Sequence, residues 1–275
     1  MNSSVHDNAG RQYPCLIFLV LFLIASLSIG CTKITTRYNS VSDKWDGAVA
    51  AGKTVEIKGV NGNIRAEPAE GSRFEVHVVK SGRRSDPEEV EIQVVEHENG
   101  VTVCAVYPGS TFGLPNECKP GKGGRMNVIN NDVKVDFTVR IPKGVHFTGR
   151  TVNGSVSAHN LSGDTEGYTV NGGVDISADG QVQAETVNGG IMANIRNSIL
   201  SSPLHFTTVN GSVSVSLPPD VNAEVDAKTV NGGIHTDFPL TVNGKIGSKR
   251  IHGKIGNGGS EIQLSTVNGS ISIRN

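Results

Sequence analysis

Tyr168-Thr169-Val170-Asn171-Gly172-Gly173-Val174-Asp175-Ile176 recurs 17 residues on as Glu185-Thr186-Val187-Asn188-Gly189-Gly190-Ile191-Met192-Ala193, and again as Thr207-Thr208-Val209-Asn210-Gly211-Ser212-Val213-Ser214-Val215. Their shared tetrapeptide, Thr-Val-Asn-Gly, stands at 151–154, 169–172, 186–189, 208–211, 229–232, 241–244 and 266–269, with a variant, Gly59-Val60-Asn61-Gly62, upstream. From Asn153 to Asn268 the mean interval is about 19 residues, and a period near 20 is the mark of a solenoid, whose repeats stack because none buries its apolar face alone. The individual spacings are 18, 17, 22, 21, 12 and 25. Reading Arg250-Ile251-His252-Gly253-Lys254-Ile255 as a worn corner in place of the 241–246 one turns the last two into 21 and 16.

Two residues after each glycine comes Val156, Val174, Ile191, Val213, Ile234, Ile246 or Ile271, and two further on Ala158, Ile176, Ala193, Val215, Thr236, Ser248 or Ile273. Such alternation predicts a strand with one buried face. A strand also precedes each corner, as in residues 181–187, so the repeat reads strand, Asn-Gly corner, strand. Asn-Gly is equally a hairpin signal, but independent hairpins do not need the same four residues each time. A stack does, because equivalent residues then lie about 4.8 Å apart. The spacing therefore predicts a ladder of side-chain amides through Asn153, Asn171, Asn188, Asn210, Asn231, Asn243 and Asn268, of the kind seen in cross-β structures. Glycine is expected to supply positive φ at the corner. A narrow core of stacked valine and isoleucine fits a chain with 34 glycines and only 5% aromatic residues. The expected fold is all-β: a single-chain, parallel β-helix-like β-solenoid over 149–275.

Residues 51–148 are less regular. Thr54–Ile57, Phe74–Lys80, Val90–Glu96, Val101–Val106 and Val133–Ile141 alternate apolar and polar residues, and 108–131, rich in Gly, Pro and Asn, reads as a long loop. Residues 31–50, polar and carrying Trp45, read as a tether or a first cap.

Residues 16–29 are an apolar run of 14, short of the ~20 that a membrane helix needs and within the range of a secretory signal. Residues 1–30 are therefore expected to be a signal peptide. Ser28-Ile29-Gly30-Cys31 resembles the bacterial lipobox, with Ser28 where the pattern prefers Leu. That resemblance implies a lipidated Cys31 that ties the domain to a membrane. Thr32, rather than an acidic residue, follows the cysteine and implies the outer membrane in a Gram-negative cell. Of the 4 cysteines, Cys15 leaves with the signal and Cys31 takes the lipid. Cys104 and Cys118 are then a pair in an oxidising compartment and are expected to form a disulfide. The rival is a metal site drawing on His97 or His146, for which the CxxC or HxxxH spacing is lacking.

Val135-Asp136-Phe137-Thr138-Val139-Arg140-Ile141-Pro142-Lys143-Gly144-Val145, the Thr-Val-Asn-Gly run and Gly59-Val60-Asn61-Gly62-Asn63-Ile64 together resemble the bacterial DUF4097-type adhesin-like proteins, a β-strand-repeat family related to the head domains of autotransporter adhesins. The likeness covers about 55–275. It implies a β-solenoid on an exported protein and assigns no functional residues.

The near balance of 25 Lys+Arg and 26 Asp+Glu, with a pI near 6.7, excludes the basic face that nucleic acid requires. The outward columns beside the corners read Ser157, Asp175, Met192, Ser214, His235, Gly247, Ser272 and His159, Ser177, Asn194, Ser216, Asp237, Lys249, Arg274, with charges scattered. Counted along the chain, Asp175 and His235 fall three rungs apart, roughly 14 Å, too far for acid–base partnership. The columns thus suggest no enzyme and no cofactor, but a non-catalytic cell-envelope scaffold or an adhesion and binding module. Two alternatives are a carbohydrate-active β-helix enzyme and an accessory or sensor protein of envelope stress. The expected partners are a membrane through the lipid, a glycan or another envelope protein, and a second copy through the C-terminal edge at 271–275, where no capping helix follows.

Overall fold

The computed structural model describes residues 39–109, 113–242 and 249–275. The signal region, Cys31 and Asn243 lie outside the described residues. The strands run β1 (Asn39–Ala48), β2 (Thr54–Lys58), β3 (Ile64–Pro68), β4 (Arg73–Gly82), β5 (Glu91–His97), β6 (Gly100–Val106), β7 (Lys134–Ile141), β8 (His146–Arg150), β9 (Val156–Leu161), β10 (Thr165–Tyr168) and β11 (Val174–Ala178). They continue as β12 (Val182–Glu185), β13 (Ile191–Ile195), β14 (Leu204–Thr207), β15 (Val213–Ser216), β16 (Ala223–Asn231), β17 (Ile234–Thr236), β18 (Leu240–Val242), β19 (Arg250–Ile255), β20 (Glu261–Asn268) and β21 (Ile271–Arg274).

Two sheets face each other. The first has the order β1-β4-β7-β3-β9-β11-β13-β15-β21-β17, and the second β18-β19-β16-β20-β14-β12-β10-β8-β2-β6-β5. Seven rungs cross from the second sheet to the first through an Asn-Gly corner, so the chain is a flattened, two-sided β-solenoid. Neighbouring rungs pair in parallel and in register, Val174 opposite Ile191 and Ile191 opposite Val213. Because the register is kept, Val156, Val174, Ile191, Val213 and Ile271 form one inward column, each at most 1% exposed. Ala184, Phe206, Leu264 and Ala227 face them from the other sheet, equally buried. Neither sheet breaks near residue 148: β2 pairs with β8 and β3 with β9.

The rungs do not stack in chain order. The last one, β20 and β21, lies between β14–β15 and β16–β17. The expectation of an open C-terminal edge is therefore corrected, since β21 has a partner on both sides. Residues 250–255 are likewise no corner. They form β19, antiparallel to β16, with β18 antiparallel to β19 in turn. Thr241 and Val242 pair with Lys254 and Gly253, which lie opposite Glu224 and Val225. That is several residues short of the corner level at Thr229. Part of the expected tether is also a strand: β1 pairs antiparallel with β4 along its whole length. Its inward Asp43 meets Lys80, only 6% exposed, at 3.2 Å, and Lys80 also donates to the Val90 carbonyl. Antiparallel strands thus close both sheets at one end, β4 and β1 in the first and β5 in the second, and the second sheet alone at the other, through β19 and β18; there the first sheet ends on β17.

The corner glycines are needed for a reason other than the one expected. Among those described, only Gly62 (φ 135°) and Gly172 (φ 157°) have positive φ. What each requires is room: a Cβ on Gly154, Gly172, Gly189, Gly211, Gly269 or Gly232 would overlap the carbonyl oxygen of the corner glycine on the adjacent rung. Gly211→Ala should therefore destabilise the protein by at least the ~1–3 kcal/mol of an overpacked site. Gly71→Ala, where a Cβ meets nothing within 4 Å, should be neutral. Thermal denaturation of the two variants checks this, and equal melting temperatures would contradict it.

Candidate functional site: the corner spine and the loop at its end

Three residues of each corner form three columns with different fates. The threonines are buried, from 1% exposed at Thr208 and Thr266 to 6% at Thr151 and Thr169. Each hydroxyl donates to the corner glycine carbonyl one rung away: Thr151 to Gly62, Thr169 to Gly154, Thr186 to Gly172, Thr208 to Gly189, Thr266 to Gly211 and Thr229 to Gly269, all at 2.7–3.1 Å. The asparagines are exposed, except for the half-buried Asn61. Their amides bond in the spatial order 61, 153, 171, 188, 210, 268, 231, each Nδ2 donating to the preceding Oδ1 at 2.7–2.8 Å. Asn268, last in the chain, is therefore an interior member, and the ends are Asn61 and Asn231. The valines point outward and make no such bonds.

Both ends of the spine are finished by residues that the repeat gave no reason to single out. Tyr107 is 1% exposed. Its phenol oxygen receives the backbone and side-chain N–H groups of Asn61 and donates to the Val133 carbonyl at 2.8 Å. At the opposite end the Gly232 carbonyl has no threonine above it and accepts Lys249 Nζ instead, at 2.7 Å.

In the rung formed by β6 and β7, residues 107–133 replace the corner. A Cys104–Cys118 disulfide, with Cα atoms 5.8 Å apart, pins this loop to β6. Lys58 Nζ donates to the carbonyls of Lys119, Gly121 and Gly123 at 2.7–2.8 Å. Burial holds Lys58 below the ordinary lysine pKa, with Arg150 adding to the shift and Glu56 opposing it. Glu56, 5% exposed, accepts from Thr102 Oγ1 (2.9 Å), the Gly121 amide (2.8 Å) and Arg150 Nε (3.0 Å). Arg150 also reaches Glu166 at 3.6 Å and lies 3.8 Å over the Tyr168 ring. Between loop and corner is a cavity of about 160 Å³, lined by Lys58, Cys104, Met126, Arg150 and Val152 among others. Two of the three cations that line it are committed, with all three Lys58 donors and the Arg150 Nε taken by protein acceptors; Arg125 is the third.

The other residues singled out from the sequence stay apart. Insertion of β21 places Asp175 and His235 four strand spacings apart, not three, or about 19 Å. Asp175 is paired instead with His159, at 3.8 Å on the adjacent strand. Among the described residues no group of three or more His, Cys, Asp or Glu is placed to hold a metal ion.

A two-sheet β-solenoid with a hydrogen-bonded corner spine is the class of protein these features define. Residues 52–274 match the family model described as Toastrack DUF4097, and the chain belongs to that family. Among solved structures it is similar to a "putative cell adhesion protein" from Clostridium sporogenes, with 14% identity and a TM-score of 0.47 over 85% of this chain and 99% of that one. It is also similar to a "putative adhesin" from Bacteroides fragilis (11% identity, TM-score 0.26, 85% and 96% covered). A third is a "putative lipid binding protein" from Parabacteroides distasonis (10%, 0.24, 85% and 97%). No curated protein matches the sequence.

Burial ranks the columns energetically. Thr208→Val strands the part-buried Gly189 carbonyl against a buried methyl and should cost about 1–3 kcal/mol. Asn210→Ala removes two solvent-exposed bonds, each worth no more than about 0.5 kcal/mol, the low end of the usual net range, because water replaces them, and Asn231→Ala removes one. Urea denaturation should therefore rank Thr208→Val as most damaging and Asn231→Ala as least; equal losses at Asn210 and Asn231 would contradict the stacking order.

Burial also pushes the Tyr107 pKa up to about 12, against the opposing bonds from Asn61. The native phenol thus holds its proton where the unfolded one, at about 10, releases it. Its contribution to stability is whole below pH 10 and is lost as the pH rises towards 12. Melting temperatures across that window should fall less steeply for Tyr107→Phe than for wild type. An unchanged slope would refute the cap.

Proposed function

We propose that the protein is a non-catalytic module of the cell envelope: exported by the signal at 1–30, held to a membrane by lipid on Cys31, and acting as a rigid scaffold or binding surface. The observation that carries this reading is the spine. Every described Thr-Val-Asn-Gly corner that stacks uses its threonine hydroxyl and asparagine amide to fix the next corner, while its valine stays outside. Side chains that are locked to one another by hydrogen bonds suit display of a fixed surface, because little conformational entropy remains to be lost on contact. A chemical cycle, in contrast, needs groups free to exchange protons, whereas Lys58, Glu56 and Arg150 beside the cavity are each held by fixed protein partners.

The proposed anchor has a geometric consequence. Seven residues separate Cys31 from the start of β1 at Asn39, a reach of at most about 29 Å over eight extended steps. The end of the stack capped by β1, β4 and β5 would then lie close to the bilayer, with the spine running away from it. Mass spectrometry of the envelope fraction should find Cys31 as a lipid-modified N-terminus, and Cys31→Ser should move the protein to the soluble fraction. An unmodified N-terminus elsewhere, or a Cys31→Ser protein that stays with the membrane, would overturn the anchor.

A further inference from the structure

The valine column is left over from everything the fold requires. Val152, Val170, Val187, Val209, Val267 and Val230 occupy six successive rungs and are each 37–51% exposed. Their side chains take no part in the core, which is filled from the strands on either side. Beside them runs the exposed asparagine column. An amide has two N–H donors and two acceptor lone pairs, and inside the ladder each uses one of each on its neighbours. One N–H and one lone pair per rung therefore remain and face solvent. The corner thus presents two parallel, uncharged rows, one apolar and one with a donor and an acceptor. Both repeat at the strand spacing of about 4.8 Å.

We infer that this strip is a track for a linear, uncharged, β-1,4-linked glycan carrying acetamido groups, lying along the stack axis; the inference rests on the binding-module reading and names its ligand class. The strand spacing is close to the length that one β-1,4-linked pyranose adds to an extended chain, so successive sugars meet successive rungs. A pyranose offers an apolar C–H face to the valine row. Its acetamido group offers one donor and one acceptor; because successive β-1,4-linked sugars are turned over, every second acetamido meets the asparagine row and matches the valences left free there. The strip is only two side chains wide, too narrow for the ~800 Å² per partner of a standard protein interface. It carries no cation to attract a phosphate polymer. The ladder fixes the amides in advance, so the ordering cost of binding falls on the ligand alone.

Calorimetric titration of the purified protein with β-1,4-linked N-acetylglucosamine oligomers of two to eight units tests this. Affinity should rise with length to about six units, one per exposed valine, and then level off. It should be nearly unchanged between low and high salt, because exposed charges contribute nothing to be screened. A Val187→Lys, Val209→Lys double variant should bind at least tenfold more weakly, while Met192→Lys, on the outer face of the first sheet and 58% exposed, should bind as wild type. Thermal melts of both variants verify that they are folded. Binding without length dependence, or undiminished in the valine variant, would overturn the track while leaving the binding module standing. So would no binding by a wild type that still fractionates with the envelope. Sedimentation in which only the valine variant loses a dimer would assign the strip to a second copy and also overturn the glycan.

Discussion

The close approach of consecutive corners is the constraint on which the other features depend. Stacked glycines bring the Cα of one rung against the carbonyl of the next, and a Cβ on any of six corner glycines would meet that carbonyl. The approach shields a row of carbonyl oxygens at the bend from much of the solvent, where no strand ladder is available to them. Shielded carbonyls need partners, and the threonine hydroxyls are placed by the same four residues to supply them. Once glycine and threonine fix the corners, the asparagine amides fall into bonding distance, and the valines are what is left facing outward. The core follows from this regular bend, since in-register rungs set like residues above one another and a column of Val and Ile closes without aromatic help.

A stack of this kind has two ends: antiparallel strands close both sheets at one and the second sheet at the other, where the first sheet ends on β17. At one end the buried Lys80–Asp43 pair places a charge inside β4 and β1, a device that discourages edge-to-edge growth. There the corner itself gives way to the 107–133 loop, which cannot satisfy its backbone by stacking and so borrows partners. Lys58 takes three of its carbonyls, Glu56 one amide, and the disulfide fixes its position on β6. Tyr107 does for Asn61 what another asparagine would otherwise do. At the far end Lys249 substitutes in the same way for a missing threonine.

The strands and the stacking were legible in the sequence because both are written in periodicities: two along a strand, near twenty between corners. The corner threonines were not, because threonine before valine reads simply as strand propensity and its hydroxyl partner is a backbone carbonyl, which leaves no trace in the sequence. Chain order misled at the C-terminus, where the Thr-Val-Asn-Gly at 241–244 copies the motif without its setting. Its 12-residue spacing is too short for two strands and two bends, and the structure uses its first half in an antiparallel strand. β1 escaped notice for another reason. Its inward positions are Val41, Asp43, Trp45 and Gly47, and an aspartate on the buried side is sensible only when Lys80 is known to face it. Tyr107 and Lys249 were unreadable for the same reason, since capping is decided by where a loop returns in space.

The most direct test of the account is scalar coupling across backbone hydrogen bonds at the corners, measured by NMR on deuterated protein. In the structure the Gly211 amide donates to the Asn268 carbonyl at 3.0 Å, and the Gly269 amide to that of Asn231 at 3.0 Å. Couplings linking Gly211 to Asn268 and Gly269 to Asn231 are the result expected of a spine in which the last rung of the chain sits inside the stack. A coupling from Gly211 to Asn231, or none across any corner, would contradict it.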